Sequence, residues 1–408
     1  MQIQKVIVVN LKTDISSIVN YMTSFNISVI LIRLDNSNNN LQIQENNNLV
    51  EFIGLDDDLS CLKEVNWVIN IDCDEDNVDS IYNIYNRVMP YLSDNVIISS
   101  SSVFLFDIIN SISSNICYNL MIACFPSYAG TVKLIECAFY ECDERKSIII
   151  KVLSNKFPNL IVCNNTPGLI LERILSFWLL ISIIGAHKFN IPIEEADFII
   201  SNKYMGVPHG IFNLLDDIGL NNFILTVQFL VKRLPCNDHL CELYNFIPEV
   251  VLQMISDGYT GIASDIGGFY RFYELYNGNN NQVIDLRTGL YRSVFSIDQG
   301  FINIDNLFNT DNKYGQFMWY IWSNTLVYVA SLIPELSFDI SIIDKAIKLV
   351  YNWKYGPFEI IDLLNDYNGN KLWFFNSVKH NNLPQILSFK KSMYNDKRQY
   401  ISINGSYV

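Results

Sequence analysis

The strongest constraint on the fold is a series of short, continuous apolar runs, rich in β-branched residues, across the first 165 positions. Lys5–Val9 reads KVIVV, residues 27–34 read ISVILIRL, and residues 65–71 read VNWVINI. Strands that are apolar throughout are buried on both faces. Helical periodicity over 15–25 and 78–92 separates them, so the pattern predicts a parallel sheet covered on both sides by helices. Further strands are expected at 95–98, 120–124, 147–153 and 160–163. Residues 36–48 are Asn-rich and have little to bury, which reads as a solvated loop.

Beyond Thr166 the character changes to long helices. Residues 168–186, 223–232, Glu249–Ser256, 317–334 and Ile340–Tyr351 carry apolar side chains at i, i+3, i+4 spacing. Residues 277–281 read as a loop. There is also an internal echo: GIFNLLD from Gly210 to Asp216 matches GPFEIID from Gly356 to Asp362. Each copy follows a long apolar helix and an acidic residue expected to start a helix, Asp197 or Asp344. That shared order indicates duplication. The expected plan is an α/β domain over 1–165 and two related all-α domains over 166–284 and 285–408.

Composition narrows the function classes. The 28 Lys+Arg stand against 42 Asp+Glu, a formal charge of −14, which disfavours nonspecific binding to nucleic acid or anionic membrane. The longest apolar stretches, 174–186 and 317–333, fall short of the ~18–20 residues a bilayer span needs, and no secretory signal is expected. The nine cysteines (Cys61, Cys73, Cys117, Cys124, Cys137, Cys142, Cys163, Cys236 and Cys241) form no C-x-x-C pair. They read as reduced thiols of a cytoplasmic protein. The four histidines, His187, His209, His239 and His380, form no metal-ligand cluster with them, so no metal site is expected.

Three segments resemble the 3-hydroxyacyl-CoA dehydrogenase family. Residues 124–136 (CFPSYAGTVKLIE) resemble its H-F-F-N-P-x-x-x-x-K-L-x-E; residues 166–175 (TPGLILERIL) resemble T-P-G-F-I-x-N-R. Residues 204–220 (YMGVPHGIFNLLDDIGL) resemble G-x-P-M-G-P-F-x-L-x-D-x-x-G-L. The serines 99–102 stand where the family has S-N-T-S, and residues 352–362 resemble the second C-terminal repeat of long bacterial members. The resemblance implies a Rossmann-like domain followed by helical domains that dimerise and close over acyl-CoA. It also implies NAD-dependent oxidation of L-3-hydroxyacyl-CoA in fatty-acid β-oxidation. No enoyl-CoA hydratase domain is expected in these 408 residues.

Hydride transfer needs a bound dinucleotide, a base for the hydroxyl proton and polar groups that fix the substrate. A G-x-G-x-x-G turn lets the backbone approach the pyrophosphate, but the corresponding positions hold Asn10, Lys12 and Ile15. Lys12 would fill space the phosphates need, and Ile15 would push helix and strand apart. Where the ribose-binding acid belongs stands Arg33, which suits a 2′-phosphate and NADP better than NAD. The expected cofactor pocket is therefore filled.

By the same resemblance, Glu136 holds the position of the glutamate that orients the family's catalytic histidine, and Cys124 holds the histidine's own. A thiol beside a carboxylate is a poor proton acceptor. Glu172 replaces the family's Asn and puts negative charge where a substrate oxyanion would form, while Arg173 is retained. Ser102 reads equally as a hydrogen-bond donor to substrate or as part of a polar loop. Lys133 matches the family's lysine and reads as structural; His209 lies on a matched turn without an assigned role. The Asn-rich stretch is shorter than the family's helical excursion beside the CoA site.

Thr166, Pro167, Gly168, Gly206, Pro208, Gly210, Gly219, Gly356 and Pro357 shape backbone, and they persist where the chemical positions do not. The expectation is a family member with impaired or lost activity, a pseudoenzyme. The rival readings are a noncatalytic scaffold or regulatory subunit, as a homodimer or within a larger assembly, and an acyl-CoA-binding module.

Overall fold

The computed structural model describes residues 2–9, 15–33, 48–71, 78–101, 112, 119–128, 131–139, 145–201, 204–275, 278–295, 307–366, 372–378 and 383–408. They form two compact units, Met1–Asn165 and Thr166–Val408.

The first unit is built on β1 (Lys5–Val9), β2 (Ser28–Arg33), β3 (Val50–Gly54), β4 (Trp67–Asn70), β5 (Ile97–Ser100), β6 (Asn119–Cys124), β9 (Ile135–Phe139) and β10 (Leu160–Val162). They lie side by side in the order β10-β9-β6-β5-β4-β1-β2-β3. The chain moves outward from β1 to β2 and β3, then returns to β4 on the other side of β1. That reversal creates the crevice where doubly wound sheets bind ligands. The described residues also form helices α1 (Ser16–Ser24), α2 (Val78–Val88) and α3 (Lys146–Lys156). Val6, Val8, Val29, Leu31, Trp67 and Phe157 sit in one apolar cluster, as continuous β-branched strands require.

Two expectations here are corrected. The sheet is mixed, because β9 runs antiparallel to β6 while β10 runs parallel to β9. The segment 147–153, expected as a strand, is the body of α3. Its Ile149 and Leu153 are buried while Ile148 is 60% exposed, so only an i, i+4 face is covered, which is helical logic. The Asn-rich stretch 36–48 lies almost wholly outside the described residues.

The second unit contains α4 (Leu171–Phe189), α5 (Ile193–Ile200), α6 (Ile211–Ile218), α7 (Leu220–Arg233), α8 (His239–Tyr244) and α9 (Glu249–Ser256). These are followed by α10 (Lys313–Ser331), α11 (Ile340–Tyr351), α12 (Pro357–Asn365), α13 (Trp373–Ser377) and α14 (Gln385–Ser388). Between the two runs lies an antiparallel sheet of β11 (Tyr270–Leu275), β12 (Gly278–Ile284) and β13 (Tyr291–Ser293). The expected loop at 277–281 is thus corrected: Asn279, Asn280 and Asn281 pair with Glu274, Tyr273 and Phe272. A domain boundary at 284/285 would cut this sheet, since Ile284 pairs with Tyr291 across it.

The echoed motifs carry one hydrogen-bonding device twice. Asp197 and Asp344, expected from the sequence to start helices, instead lie inside α5 and α11. Their carboxylates accept from the first turn of the next helix. Asp197 takes Phe212 N at 2.8 Å and Asn213 N at 3.1 Å; Asp344 takes Phe358 N at 2.9 Å and Glu359 N at 3.1 Å. Asp216 then takes the amides of Phe269 and Tyr270, and Asp362 those of Met393 and Tyr394. Each circuit closes through a tyrosine, with the Tyr270 hydroxyl donating to Asp197 and that of Tyr394 to Asp344.

The glycines follow from this packing. A Cβ at Gly210 or Gly356 would come within 2.2 Å or 2.3 Å of the capping aspartate's side chain.

Among the described residues, no single helix is long and apolar enough to cross a membrane.

Candidate active site

Cys124 closes β6 and Glu136 follows the first residue of β9, and the two are direct cross-strand partners. The turn between them is held by a small ladder of β7 (Ser127–Tyr128) and β8 (Thr131–Val132), which folds the segment back so that its ends meet. Opposed residues of an antiparallel pair project to the same face with Cβ atoms about 4.5–5.5 Å apart. Glu136 is 1% exposed and Cys124 half-buried. A thiol accepts a proton only as thiolate, which neighbouring negative charge opposes.

Glu136 also bears on the flanking thiols. Burial and then Glu136 push Cys137 up to about 12, and the same two causes, in that order, raise Cys163 well above its ordinary value. Cys236 is exposed, and Cys61, Cys124, Cys137, Cys163, Cys236 and Cys241 are all free thiols. Alkylation of the native protein at pH 8, mapped by mass spectrometry, should therefore mark Cys236 rapidly and leave Cys137 and Cys163 unmodified until denaturant is added. Equal labelling of all three in the native state would contradict the buried placement.

At the crevice, β1 ends at Val9 and β4 at Asn70, which are paired in register. Asn70 is 1% exposed, and among the described residues neither its Oδ1 nor its Nδ2 has a hydrogen-bond partner. A buried amide left unpaired is costly, and sequence reading took Asn70 only as a strand residue. Ile15 stands at the N-terminus of α1 without capping it by a side-chain hydrogen bond. It is 3% exposed and shares the apolar cluster of Val6 and Val8, so the helix docks on the sheet rather than being pushed away.

Arg33 is the last residue of β2, opposite Gly54. Asn10, Lys12 and Ser102 lie outside the described residues. Ser99 and Ser100 are buried in β5, with Ser99 Oγ accepting from Trp67 Nε1 at 2.8 Å. Half of the serine run is therefore strand, not loop.

In the helical unit, Glu172 is exposed in the first turn of α4, where a carboxylate suits the positive end of the helix dipole. The preceding turn needs Gly168: its φ is +76°, and a Cβ would come within 2.6 Å of Leu230. His209 is exposed in the turn before α6.

The residue whose weight the sequence hid is Arg173, which is 0% exposed. Its Nε donates to the Tyr328 hydroxyl at 2.6 Å, Nη1 to Glu335 at 3.2 Å and Nη2 to Asp238. Burial works against its charge and is outweighed by Tyr328, Asp238 and Glu335, which hold its pKa above the ordinary value. Among the described residues no group of His, Cys, Asp and Glu could hold a metal ion.

No family profile matches the chain. It is 31% identical over 368 residues to the "Putative fatty acid oxidation complex trifunctional enzyme" of Rickettsia felis, covering 87% of this chain and 49% of that protein. It is 25% identical over 325 residues to the "Probable 3-hydroxyacyl-CoA dehydrogenase" of Bacillus subtilis, covering 76% of this chain and 40% of that one. The chain thus spans half or less of the length of these relatives. Among solved structures, it superposes on the 3-hydroxybutyryl-CoA dehydrogenase of Escherichia coli K12 with a TM-score of 0.58 at 13% identity, over 90% of this chain and 96% of that one. This last likeness concerns the fold.

Proposed function

The chain belongs to the 3-hydroxyacyl-CoA dehydrogenase family, and from that premise we propose that it is a dehydrogenase-type module in which NAD-linked oxidation of L-3-hydroxyacyl-CoA is impaired or lost. The observation that carries the reading is the cross-strand pairing of Cys124 with Glu136. By the family resemblance, the buried Glu136 holds the position of the carboxylate that orients a base, and Cys124 holds the base's own. Loss of a positioned base alone costs about 10²–10⁴ in rate.

The residues present do not fit a nicotinamide dinucleotide either. No glycine stands at positions 10, 12 or 15, Ile15 is packed into the core at the start of α1, and β2 ends in a cation instead of an acid. The unpaired amide of Asn70 invites a polar partner, but it supplies none of the missing turn. The chain's own contribution is limited to Glu136, which can hold a neighbouring group or a water, and to the serine at 102, proposed as a contact for a substrate oxygen.

The test is oxidation of NADH or NADPH by acetoacetyl-CoA at several pH values. The expected trace is flat with both, and turnover with either removes the reading. Cys124→His alone should raise the rate less than about tenfold, since a base without a dinucleotide site restores only one of two requirements. Substantial activity from that single change would show that the dinucleotide still binds.

The second reading is noncatalytic: a scaffold or acyl-CoA-binding module, homodimeric or part of a larger assembly, in the cytoplasm where free thiols persist. It is favoured by the duplicated aspartate circuits, which remain complete in the helical unit. They also support a division of that unit into two related repeats. A binding module should show a melting shift with acyl-CoA and none with NAD. A scaffold should show neither, and should self-associate.

A further inference from the structure

Beside α4 and α10 the helical unit holds a cavity of about 870 Å³, within the size range of small-molecule sites. Phe177, Ile181 and Ile184 of α4 form one wall; Tyr320, Val327 and Tyr328 of α10 form the other. Phe177 stacks on Tyr328 at 3.9 Å, while Phe189 meets Tyr320 edge-on at 5.5 Å. The two helices therefore run antiparallel and the cavity is a trough along both. Leu243 of α8 and Phe246, just beyond its C-terminus, add apolar surface at its side.

The ends of the trough differ. At one end Tyr328 is pinned, taking a hydrogen bond from Arg173 and giving one to Asp238 at 3.0 Å. At the other, His187 and Lys188 are exposed. Lys188 Nζ lies 4.6 Å from the Tyr320 ring centroid, and among the described residues no carboxylate is within ion-pair distance of it. Glu242, the acid lining the cavity, faces His239 at 3.6 Å. Lys188 thus places a local positive charge at this end of the trough, in a chain of net charge −14. From Phe177 to Lys188 is 188 − 177 = 11 residues, about 16 Å of helix.

We infer that this trough binds a long-chain aliphatic carboxylate, with its tail along the α4–α10 walls and its head on Lys188. Apolar walls remove the chain from water at roughly 25 cal/mol per Å², and the lysine selects for an anionic head at one end only. The assignment concerns a different place from the Cys124–Glu136 pair and holds whether or not hydride transfer survives.

The experiment is calorimetric titration of the full chain with dodecanoate, below its micellar concentration, beside dodecanol and dodecanoyl-CoA. Expected are saturable binding of one dodecanoate per chain, weaker binding of the alcohol, and a loss of at least tenfold in Lys188→Glu, a change at an exposed position. Ile184→Trp, which fills the trough, should abolish binding while the far-UV circular dichroism stays unchanged. Should that variant misfold, Lys188→Glu alone decides. No saturable binding, or equal affinity in Lys188→Glu, overturns the inference. So does dodecanoyl-CoA displacing dodecanoate with higher affinity, which would make the trough a thioester site.

Discussion

Arg173→Met is expected to lower the melting temperature by about 6–20 °C, with the helical unit losing stability. The guanidinium is fully buried, and its three nitrogens face Tyr328, Glu335 and Asp238. Methionine fills much of the volume but satisfies none of them. The Asp238 carboxylate, 8% exposed, is then left beside a buried tyrosine hydroxyl without its cation. Removing one partner of a buried pair costs about 3–5 kcal/mol, and a unit of this size loses about 2–4 °C per kcal/mol.

Arg173→Lys should recover only part of this, since an ammonium cannot serve three directions with a planar fork. Pairing Arg173→Met with Asp238→Asn should cost less than the sum of the two, because the second change removes the stranded charge. Calorimetric melts of the four variants measure all of this; an Arg173→Met midpoint within 2 °C of the parent would mean that the network carries no stability.

What the sequence disclosed follows from how local each signal is. The β-branched runs of β1, β2 and β4 and the helices α9 and α11 are fixed by their own periodicity, so they were readable within a residue or two. The Cys124–Glu136 pair was legible as two ends of one motif, though not as cross-strand neighbours. Helix α3 was misread because KSIIIKVLSNK carries β-branched residues whose burial alternates only in three dimensions. β12 was misread because asparagine has little strand preference; its strand state comes from the ladder to β11.

Arg173 was visible as an arginine in an apolar helix, but its partners lie 155, 162 and 65 residues away. The duplicated GxFxφφD echo was equally plain. The chain that receives its second aspartate, at residues 269–270 and 393–394, has diverged beyond pattern matching, apart from Tyr270 and Tyr394.

Those aspartates set the second large effect, a stability that falls as pH rises. Burial raises Asp197, Asp216 and Asp344 from 3.8 to about 7 and Asp362 to about 6, outweighing the hydrogen bonds each accepts. A carboxyl whose folded value exceeds its unfolded value holds its proton more tightly in the fold. Its contribution is complete below about pH 4 and is lost as pH rises through the folded value. Four such groups act in the same direction, so the midpoint should drop steadily between pH 5 and pH 8.

Glu194 works in the opposite sense but outside that window. Burial opposes its charge, yet the guanidinium of Arg292, at 2.6 Å and 2.9 Å, holds it below its ordinary value. Its contribution fades only as pH falls below about 4.5.

Asp344→Ala separates the circuit from the rest. It strands the amides of Phe358 and Glu359 and the Tyr394 hydroxyl, at about 1–3 kcal/mol for each group left unsatisfied in the interior. The melting temperature should fall by roughly 6 °C or more, and the pH slope should become shallower because one of the four titrating groups is gone. Calorimetric scans in half-unit steps from pH 5 to pH 8 provide both readouts. A midpoint that is flat or rises with pH would mean that the four carboxylates stay ionised inside the fold, their hydrogen bonds outweighing the cost of burial.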